Sequence, residues 1–147
     1  MTDEIDVAIV EILTNEDLRQ VDALLSQLSS SATFDSERVR AMISSPAVDL
    51  FVARDAGQLV GMATLVTFPL VTGWRGIVED VVVGNEVRGR GIARQLLVAI
   101  TAESARRRLR TVDLTSRPSR ESALRLYESL GFERRETNVL RYVPMTE

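Results

Sequence analysis

The clearest chemistry in the chain is offered by a segment rich in glycine and arginine, Arg88-Gly89-Arg90-Gly91-Ile92-Ala93. It follows a predicted strand and opens a predicted helix, where unpaired backbone N–H groups and the positive end of the helix dipole favour an anion. The glycines let a ligand approach the backbone closely, and Arg88, Arg90 and Arg94 add positive charge that suits a pyrophosphate. The segment therefore predicts a phosphate-binding loop.

Two adjacent carboxylates, Glu79 and Asp80, interrupt the apolar strand predicted over residues 76–83. Neighbouring side chains on a regular strand point to opposite faces, so the two cannot both serve one site directly. Carboxylates in a valine-rich strand cost free energy unless they are paired or hydrated, which favours a functional role for one of them. Which of the two faces a cleft is left open.

The composition limits the chemistry further. The chain has no cysteine and no histidine, which excludes disulfides, thiol nucleophiles, Ser-His-Asp triads and the common zinc sites. Acid–base chemistry must then use Asp, Glu, Tyr or water, and no metal is expected. The net charge of −3 gives no general attraction to nucleic acid.

The location is predicted from two observations. No apolar run approaches the roughly 20 residues that cross a bilayer, and the acidic start, Met1-Thr2-Asp3-Glu4, lacks the basic region of a secretory signal. We expect a cytoplasmic protein with no membrane partner.

The 147 residues, 45% apolar and 27% charged, predict a single globular domain over 1–147. Strands are predicted at 5–12, 50–54, 59–67, 76–83, 111–115 and 138–143. Helices are predicted from Thr14, where Asp17 completes a capping box, and at 36–44, 88–108 and 119–130, the last with Ser119 as N-cap. Residues 69–73 are predicted to form a loop.

Three motifs in order, E-D-V-V-V, the phosphate loop and the later L-Y-E-S-L-G-F, resemble the GNAT superfamily of acetyl-CoA-dependent N-acetyltransferases. The phosphate loop of that superfamily is written Q/R-x-x-G-x-G/A, and Ala93 stands at its last position. The resemblance covers residues 50–132 well and the N-terminal helices loosely. It implies an α/β fold with a central mixed sheet of six or seven strands and about four flanking helices. The sheet should open between strands 76–83 and 111–115.

The resemblance also implies roles for individual residues. Acetyl-CoA would be bound at its pyrophosphate by Arg88, Gly89, Arg90, Gly91, Ile92, Ala93 and Arg94, and at its pantetheine arm by the strand Val81, Val82 and Val83. Tyr127 would protonate the departing thiolate, since a phenol with a pKa of about 10 stays protonated at neutral pH. Glu79 would be the general base. Asp80 would bind the acceptor or be structural.

Other positions carry less information. Arg120 stands where the superfamily often has an Asn that contacts the pantetheine arm; here it would reach a CoA phosphate, bind an acidic acceptor or simply be solvated. Phe34, Phe68 and Trp74 lie in or beside loops that rim the acceptor pocket in the family, although core or surface packing explains each of them equally well.

The expected reaction is direct transfer of the acetyl group to a primary amine of a small molecule. The stretch R-G-x-V-E-D-V-V-V is also similar to hexosamine-phosphate N-acetyltransferases and to many small bacterial members, whereas T-S-R-P-S-R differs from the hexosamine enzymes. The alternatives are a protein or peptide N-acetyltransferase and a non-catalytic acyl-CoA-binding protein. A homodimer is expected because small members of the superfamily often form one.

Overall fold

The computed structural model describes residues 4–145 and forms two compact units, Met1–Thr115 and Ser116–Glu147. Met1, Thr2 and Asp3 lie outside the described residues, so the interpretation of the acidic start rests on the sequence alone. Across residues 4–145, none of the helices combines the length and the apolar character that a membrane crossing requires.

A mixed sheet forms the centre of the first unit. Its strands are β1 (Ile5–Ile9), β2 (Val48–Asp55), β3 (Gln58–Leu70), β4 (Gly73–Val83) and β5 (Thr111–Asp113). They lie in the order β1-β2-β3-β4-β5, with antiparallel pairing throughout except that β5 runs parallel to β4. The predicted α/β class with a mixed sheet is confirmed. The described residues contain five strands, and the prediction of six or seven was too high.

Residues 4–145 contain the α-helices α1 (Asn15–Leu28), α2 (Ser36–Ser44), α3 (Ile92–Arg106) and α4 (Glu121–Ser129). The first two begin at a side-chain cap. Thr14 caps α1 in the predicted capping box, because its hydroxyl accepts from the Asp17 N–H and the Asp17 carboxylate accepts from the Thr14 N–H. Asp35 caps α2 at Glu37 and Arg38. These local signals explain why both helix starts could be predicted.

The sheet buries side chains on both faces. On one face Leu50, Val52 and Val82 form a core cluster with side chains from α1 that include Leu18 and Leu24. On the other face α3 approaches so closely that a Cβ added at Gly61 would lie 3.2 Å from Ile92 Cγ2. Leu96, Leu97 and Ile100 of α3 are fully buried. Each such side chain contributes about 1.5–3 kcal/mol, so α3 is firmly fixed to the sheet.

Several elements of the first unit have other bounds than predicted; β1 ends at Ile9 rather than at 12, and β5 ends at Asp113 rather than at 115. Two further differences follow from local backbone geometry. Residues 69–73 are not a loop: β3 continues to Leu70 and β4 begins at Gly73, leaving only a two-residue turn. Pro69 is tolerated there because β2 pairs with β3 only as far as Val66, so no neighbour on that side needs its missing N–H. The helix predicted from residue 88 begins instead at Ile92, because Gly89 and Gly91 adopt positive φ.

Two predictions in the second unit are wrong. Arg120, not Ser119, occupies the N-cap position of α4, and its side chain makes no capping hydrogen bond. Residues 138–143 form no strand. Their apolar side chains are largely exposed, with Leu140 at 90% and Tyr142 at 83%. The β-branched pattern raises strand propensity, but a strand forms only where a neighbour pairs with it, and within the described residues none does.

Candidate active site

Strands β4 and β5 separate after a short stretch of pairing. Their parallel register joins Arg75 to Thr111 and ends at Ile77 and Asp113. The Arg75 guanidinium fastens this paired end, since it donates to Thr111 Oγ1 at 3.0 Å and to the Asp113 carboxylate. Strand β4 continues to Val83 while β5 stops. Within residues 4–145 no strand therefore pairs with the side of β4 that faces away from β3 over residues 78–83, which we call the open edge.

A bulge lies in the middle of β4 at the carboxylate pair. Val82 pairs with Met62 and Glu79 pairs with Thr64, so Ala63 alone faces both Asp80 and Val81. Asp80 has a φ of +53°, a left-handed conformation that Asp tolerates better than most residues. A bulge bends its strand and redirects the side chains around it. The strict alternation that placed Glu79 and Asp80 on opposite faces therefore does not apply at this point.

The face on which Glu79 lies follows from its cross-strand partners, because residues directly opposite each other share a face. Glu79 faces Thr64, which in turn faces Leu50 of the core cluster on the α1 side. Thr64 is buried, whereas Glu79 and Asp80 are both exposed. Glu79 thus lies on the α1 face of the sheet, where its carboxylate is open to solvent or to a bound molecule.

The backbone at the end of β4 presents hydrogen-bonding groups to the open edge. The Gly84 N–H donates to Val60 O on β3 at 2.8 Å. Backbone groups alternate sides along an antiparallel strand. Those of Val83, the preceding residue, consequently point away from β3. Val83 O accepts from Gln27 Nε2 at 3.0 Å, whereas an extended ligand lying along the open edge could pair with the Val83 N–H as an additional strand would.

The phosphate-binding loop predicted from the sequence follows this strand. Gly89 (φ +82°) and Gly91 (φ +73°) both hold left-handed conformations, and a Cβ added at either would meet nothing within 4 Å. The glycines are therefore required by backbone conformation, and the space beside them is open. Gly91 occupies the N-cap position of α3, whose first turn has neither a side-chain cap nor an acidic residue. This contrasts with α1 and α2, and it leaves the first N–H groups of α3 suited to an external anion.

The three arginines of the loop differ in their surroundings. Arg88 and Arg94 are exposed, whereas Arg90 is half-buried and its guanidinium donates to Asp55 Oδ2 at 2.8 Å. Asp55 lies at the end of β2, and 35 positions separate it from Arg90. No local signal could have indicated this pair.

Tyr127 lies on α4 in the second unit. Its side chain is buried, and its ring meets Phe132 edge to face with centroids 6.2 Å apart. Burial raises the pKa of Tyr127 above its usual value, while the positive charge of Arg120 opposes that rise. The phenol accordingly holds its proton at neutral pH, as a proton donor must.

The residues predicted to bind an acceptor are not gathered in one place. Phe34 is half-buried and packs against the core cluster. Trp74 lies at the start of β4, six residues before Asp80, or roughly 20 Å along an extended strand. There it lines a cavity of about 460 Å³ together with Pro46, Thr67 and Arg107. Trp74 is thus far from the bulge and from the phosphate-binding loop.

Comparison with known proteins agrees with this architecture. The model of the acetyltransferase (GNAT) family matches residues 15–132. The chain is 31% identical over 147 residues to a glucosamine 6-phosphate N-acetyltransferase of Trypanosoma brucei brucei, covering 92% of this chain and 95% of that protein.

Two solved structures share the fold. An acetyltransferase of Trypanosoma brucei superposes with a TM-score of 0.78 at 26% identity, covering 95% of this chain and all of that one. A transcriptional regulator from Bacillus halodurans C-125 superposes with a TM-score of 0.83 at 23% identity, with the same coverage. The second likeness shows the fold alone.

Proposed function

Because the chain belongs to the acetyltransferase (GNAT) family and is an acetyl-CoA-dependent N-acetyltransferase, we propose that its acceptor is the primary amine of a small molecule. The observation that carries this proposal is the 31% identity, over nearly the whole of both chains, to an enzyme named for a small amino-sugar phosphate. A sugar phosphate is one candidate acceptor. The segment T-S-R-P-S-R, which differs from the hexosamine enzymes, keeps other small amines under consideration.

In this proposal the pyrophosphate of acetyl-CoA binds at the loop that precedes α3. The uncapped start of α3 and the open space beside Gly89 and Gly91 support the assignment. Backbone N–H groups there can donate to phosphate oxygens, and the arginines supply charge. The set comprises Arg88, Gly89, Arg90, Gly91, Ile92, Ala93 and Arg94. Arg90 also orders the loop through Asp55.

The pantetheine arm lies along the open edge in this proposal. Its amides pair with backbone groups of Val81 and with the Val83 N–H, so the arm extends the sheet by one strand beside Val82. Val83 O already accepts from Gln27 Nε2 at 3.0 Å. The early end of β5 and the outward direction of the Val83 backbone groups support this placement. For Arg120 three roles are considered: it contacts a CoA phosphate, it contacts an acidic acceptor, or it is solvated at the start of α4.

The proposed reaction is direct transfer. The neutral acceptor amine attacks the acetyl carbonyl carbon with its nitrogen lone pair, and Glu79 accepts, directly or through water, the proton that this nitrogen loses. A backbone N–H near Val81 meets the developing oxyanion. The carbon–sulfur bond then breaks, its electron pair stays on sulfur, and the Tyr127 hydroxyl gives its proton to the thiolate. The products are an N-acetyl amine and CoA.

The proposal is tested by following acetyl-CoA consumption over a library of amines that includes glucosamine 6-phosphate, free amino sugars, polyamines and peptides with free N-termini. We expect the highest kcat/KM for a small amine. A peptide turned over faster than every small amine would favour the protein or peptide acetyltransferase. Tight acetyl-CoA binding with no turnover of any amine would favour the non-catalytic acyl-CoA-binding protein.

We further propose that residues 1–147 act as one N-acetyltransferase domain. The family match supports this, because residues 15–132 extend across the boundary between the two compact units. A cytoplasmic location is also proposed; the absence of cysteine suits a compartment in which disulfides do not form.

A homodimer is proposed as the working form. The exposed apolar side chains of the C-terminal segment support it, since Leu140, Val143 and Met145 would face water in a monomer. Sedimentation at micromolar concentration should give a dimer. A monomer under those conditions would refute this part of the proposal.

A further inference from the structure

Gln27, in the last turn of α1, holds the chain where β4 ends. Its Nε2 donates to Val83 O at 3.0 Å, and its Oε1 accepts from the Asn85 N–H at 3.1 Å. A carbonyl can only accept and an N–H can only donate, so this pair of partners fixes which way round the amide lies. The side chain is exposed, yet it makes two directed bonds to backbone that is 56 and 58 positions away in sequence.

The backbone at residues 83–85, to which Gln27 is hydrogen-bonded, leads directly into the proposed phosphate-binding loop. Gly84, between the two gripped residues, donates to Val60 O at 2.8 Å and accepts from the Val87 N–H at 3.1 Å. There is little room here, because a Cβ at Gly84 would lie 2.8 Å from Glu86 Oε1 and 3.3 Å from Val60 O. The chain is thus fixed from three directions, by β3, by its own turn and by α1.

Two of these constraints use backbone, and only the third depends on a side chain that can be exchanged. Val83 O belongs to the open edge, and the Asn85 N–H lies at the start of the 3₁₀ turn Asn85–Val87 that delivers Arg88. Without Gln27, the Val83–Gly84 and Gly84–Asn85 peptides would keep their bonds to β3 and to the turn. They would lose the contact that sets their tilt toward α1.

We infer that Gln27 is a positioning residue for acetyl-CoA. It acts through the Val83 carbonyl and the Asn85 N–H to hold the end of β4 and the following loop in the arrangement that binds the cofactor. This inference rests on the proposed acetyl-CoA site. Gln27 contacts neither reacting group, so its removal weakens cofactor binding and leaves the chemical step largely unchanged.

The test uses Gln27→Met, which keeps the length and helix propensity of the side chain and removes both hydrogen bonds. Calorimetry with acetyl-CoA should show a dissociation constant raised about five- to tenfold, while kcat at saturating acetyl-CoA stays within about twofold. In the ligand-free protein, amide hydrogen exchange at Asn85 should become faster. If the two hydrogen bonds served stability alone, their loss would lower the melting temperature without weakening acetyl-CoA binding selectively relative to kcat.

Gln20→Met is the matched control. Gln20 lies on the same helix and makes a comparable side-chain bond to backbone, accepting from the Leu59 N–H at 2.8 Å, but it does not hold residues 83–85. Its variant should bind acetyl-CoA within about twofold of the parent.

Three outcomes would overturn the inference. Equal losses of affinity in the Gln27 and Gln20 variants would do so, because they would indicate a general effect of loosening α1. Unchanged binding by Gln27→Met would overturn it too, and so would tighter binding, which would show that the amide competes with the cofactor for Val83 O. If the parent protein bound no acetyl-CoA, the proposed function itself would fail and this inference with it.

Discussion

Arg90, in the loop proposed to bind phosphate, donates to Asp55 Oδ2 at the end of β2 at 2.8 Å. One of the loop's positive charges is therefore engaged with a carboxylate of the same protein, whereas Arg88 is exposed. The two arginines should consequently contribute differently to cofactor binding and to folding.

Arg88→Ala should weaken acetyl-CoA binding about tenfold, or ~1.4 kcal/mol, without lowering stability, because the side chain is exposed. Arg90→Ala should lower the free energy of unfolding by about 1 kcal/mol, since it removes the guanidinium that donates to the Asp55 carboxylate. Calorimetry and urea denaturation measure the two effects. Unchanged affinity in a folded Arg88→Ala protein would contradict the assignment of the loop.

Gly91→Glu should weaken acetyl-CoA binding by at least about tenfold, because it adds bulk and negative charge at the N-cap of α3 where phosphate is proposed to bind. Gly73→Glu is the control. Gly73 also has a positive φ, +136°, and lies at the far end of β4, where a Cβ would meet Arg110 only at ordinary contact distance. Both variants should lose some stability, but only the first should lose affinity in a titration with acetyl-CoA.

Tyr127→Phe should lower kcat at least about tenfold, because it deletes the proposed proton donor and keeps the buried ring; general acid catalysis is typically worth ~10²–10⁴-fold. Burial raises the pKa of Tyr127, so the alkaline limb of the parent kcat profile should lie above about pH 10 and be lost in the variant. Tyr142, the other tyrosine, is 83% exposed. Tyr142→Phe should turn over like the parent. If Tyr127→Phe kept the parental kcat, Tyr127 would not be the general acid, and the thiolate would take its proton from solvent.

Glu79→Gln should reduce kcat/KM for the amine about a hundredfold through loss of the proposed base, while acetyl-CoA affinity changes little. Asp80→Asn provides the comparison at the adjacent position. Asn tolerates the left-handed conformation found at Asp80, so the bulge should survive. We expect kcat/KM for the amine to fall less in Asp80→Asn than in Glu79→Gln. If steady-state kinetics showed the larger fall for Asp80→Asn, Asp80 rather than Glu79 would be the base.

Asp17→Asn should destabilise the protein by about 2 kcal/mol at neutral pH, because Asp17 is buried and accepts from Arg54 at 2.8 Å. The hydrogen bond from Arg54 lowers the pKa of Asp17, and burial opposes that shift. A lowered pKa means that the pair stabilises the fold above about pH 4 and that this stability is lost as the pH falls further. Denaturation curves should show the parent and variant converging below about pH 4. Asp22→Asn, exposed on the same helix, is the control and should change the free energy of unfolding at neutral pH by no more than about 0.5 kcal/mol.

Features set by short stretches of sequence could be predicted. The capping box at Thr14 and Asp17 brings together residues three positions apart, and Gly89 and Gly91 mark a break between strand and helix. Such signals need no knowledge of the rest of the chain. The order of strand, loop and helix that defines the candidate site could therefore be predicted from the sequence alone.

Features that depend on distant residues were not predicted. Gln27 meets Asn85 across 58 positions and Arg90 meets Asp55 across 35, and no pattern in either segment marks its partner. The bulge at Asp80 could not be predicted either, because the residue with positive φ is an aspartate and not a glycine. The strand predicted at 138–143 does not form. Its residues have strand propensity, but no neighbouring strand pairs with them within the described part of the chain.

The open edge of β4 has a consequence for the life of the protein in the cell. An unpaired sheet edge is where another chain can add and where local opening begins. A cofactor that pairs with that edge protects the folded state by mass action, by ~2.7 kcal/mol when its concentration is about a hundred times its dissociation constant. The enzyme should therefore last longer against proteases and aggregation when acetyl-CoA is plentiful. Its abundance would follow the metabolic supply of its own acetyl donor.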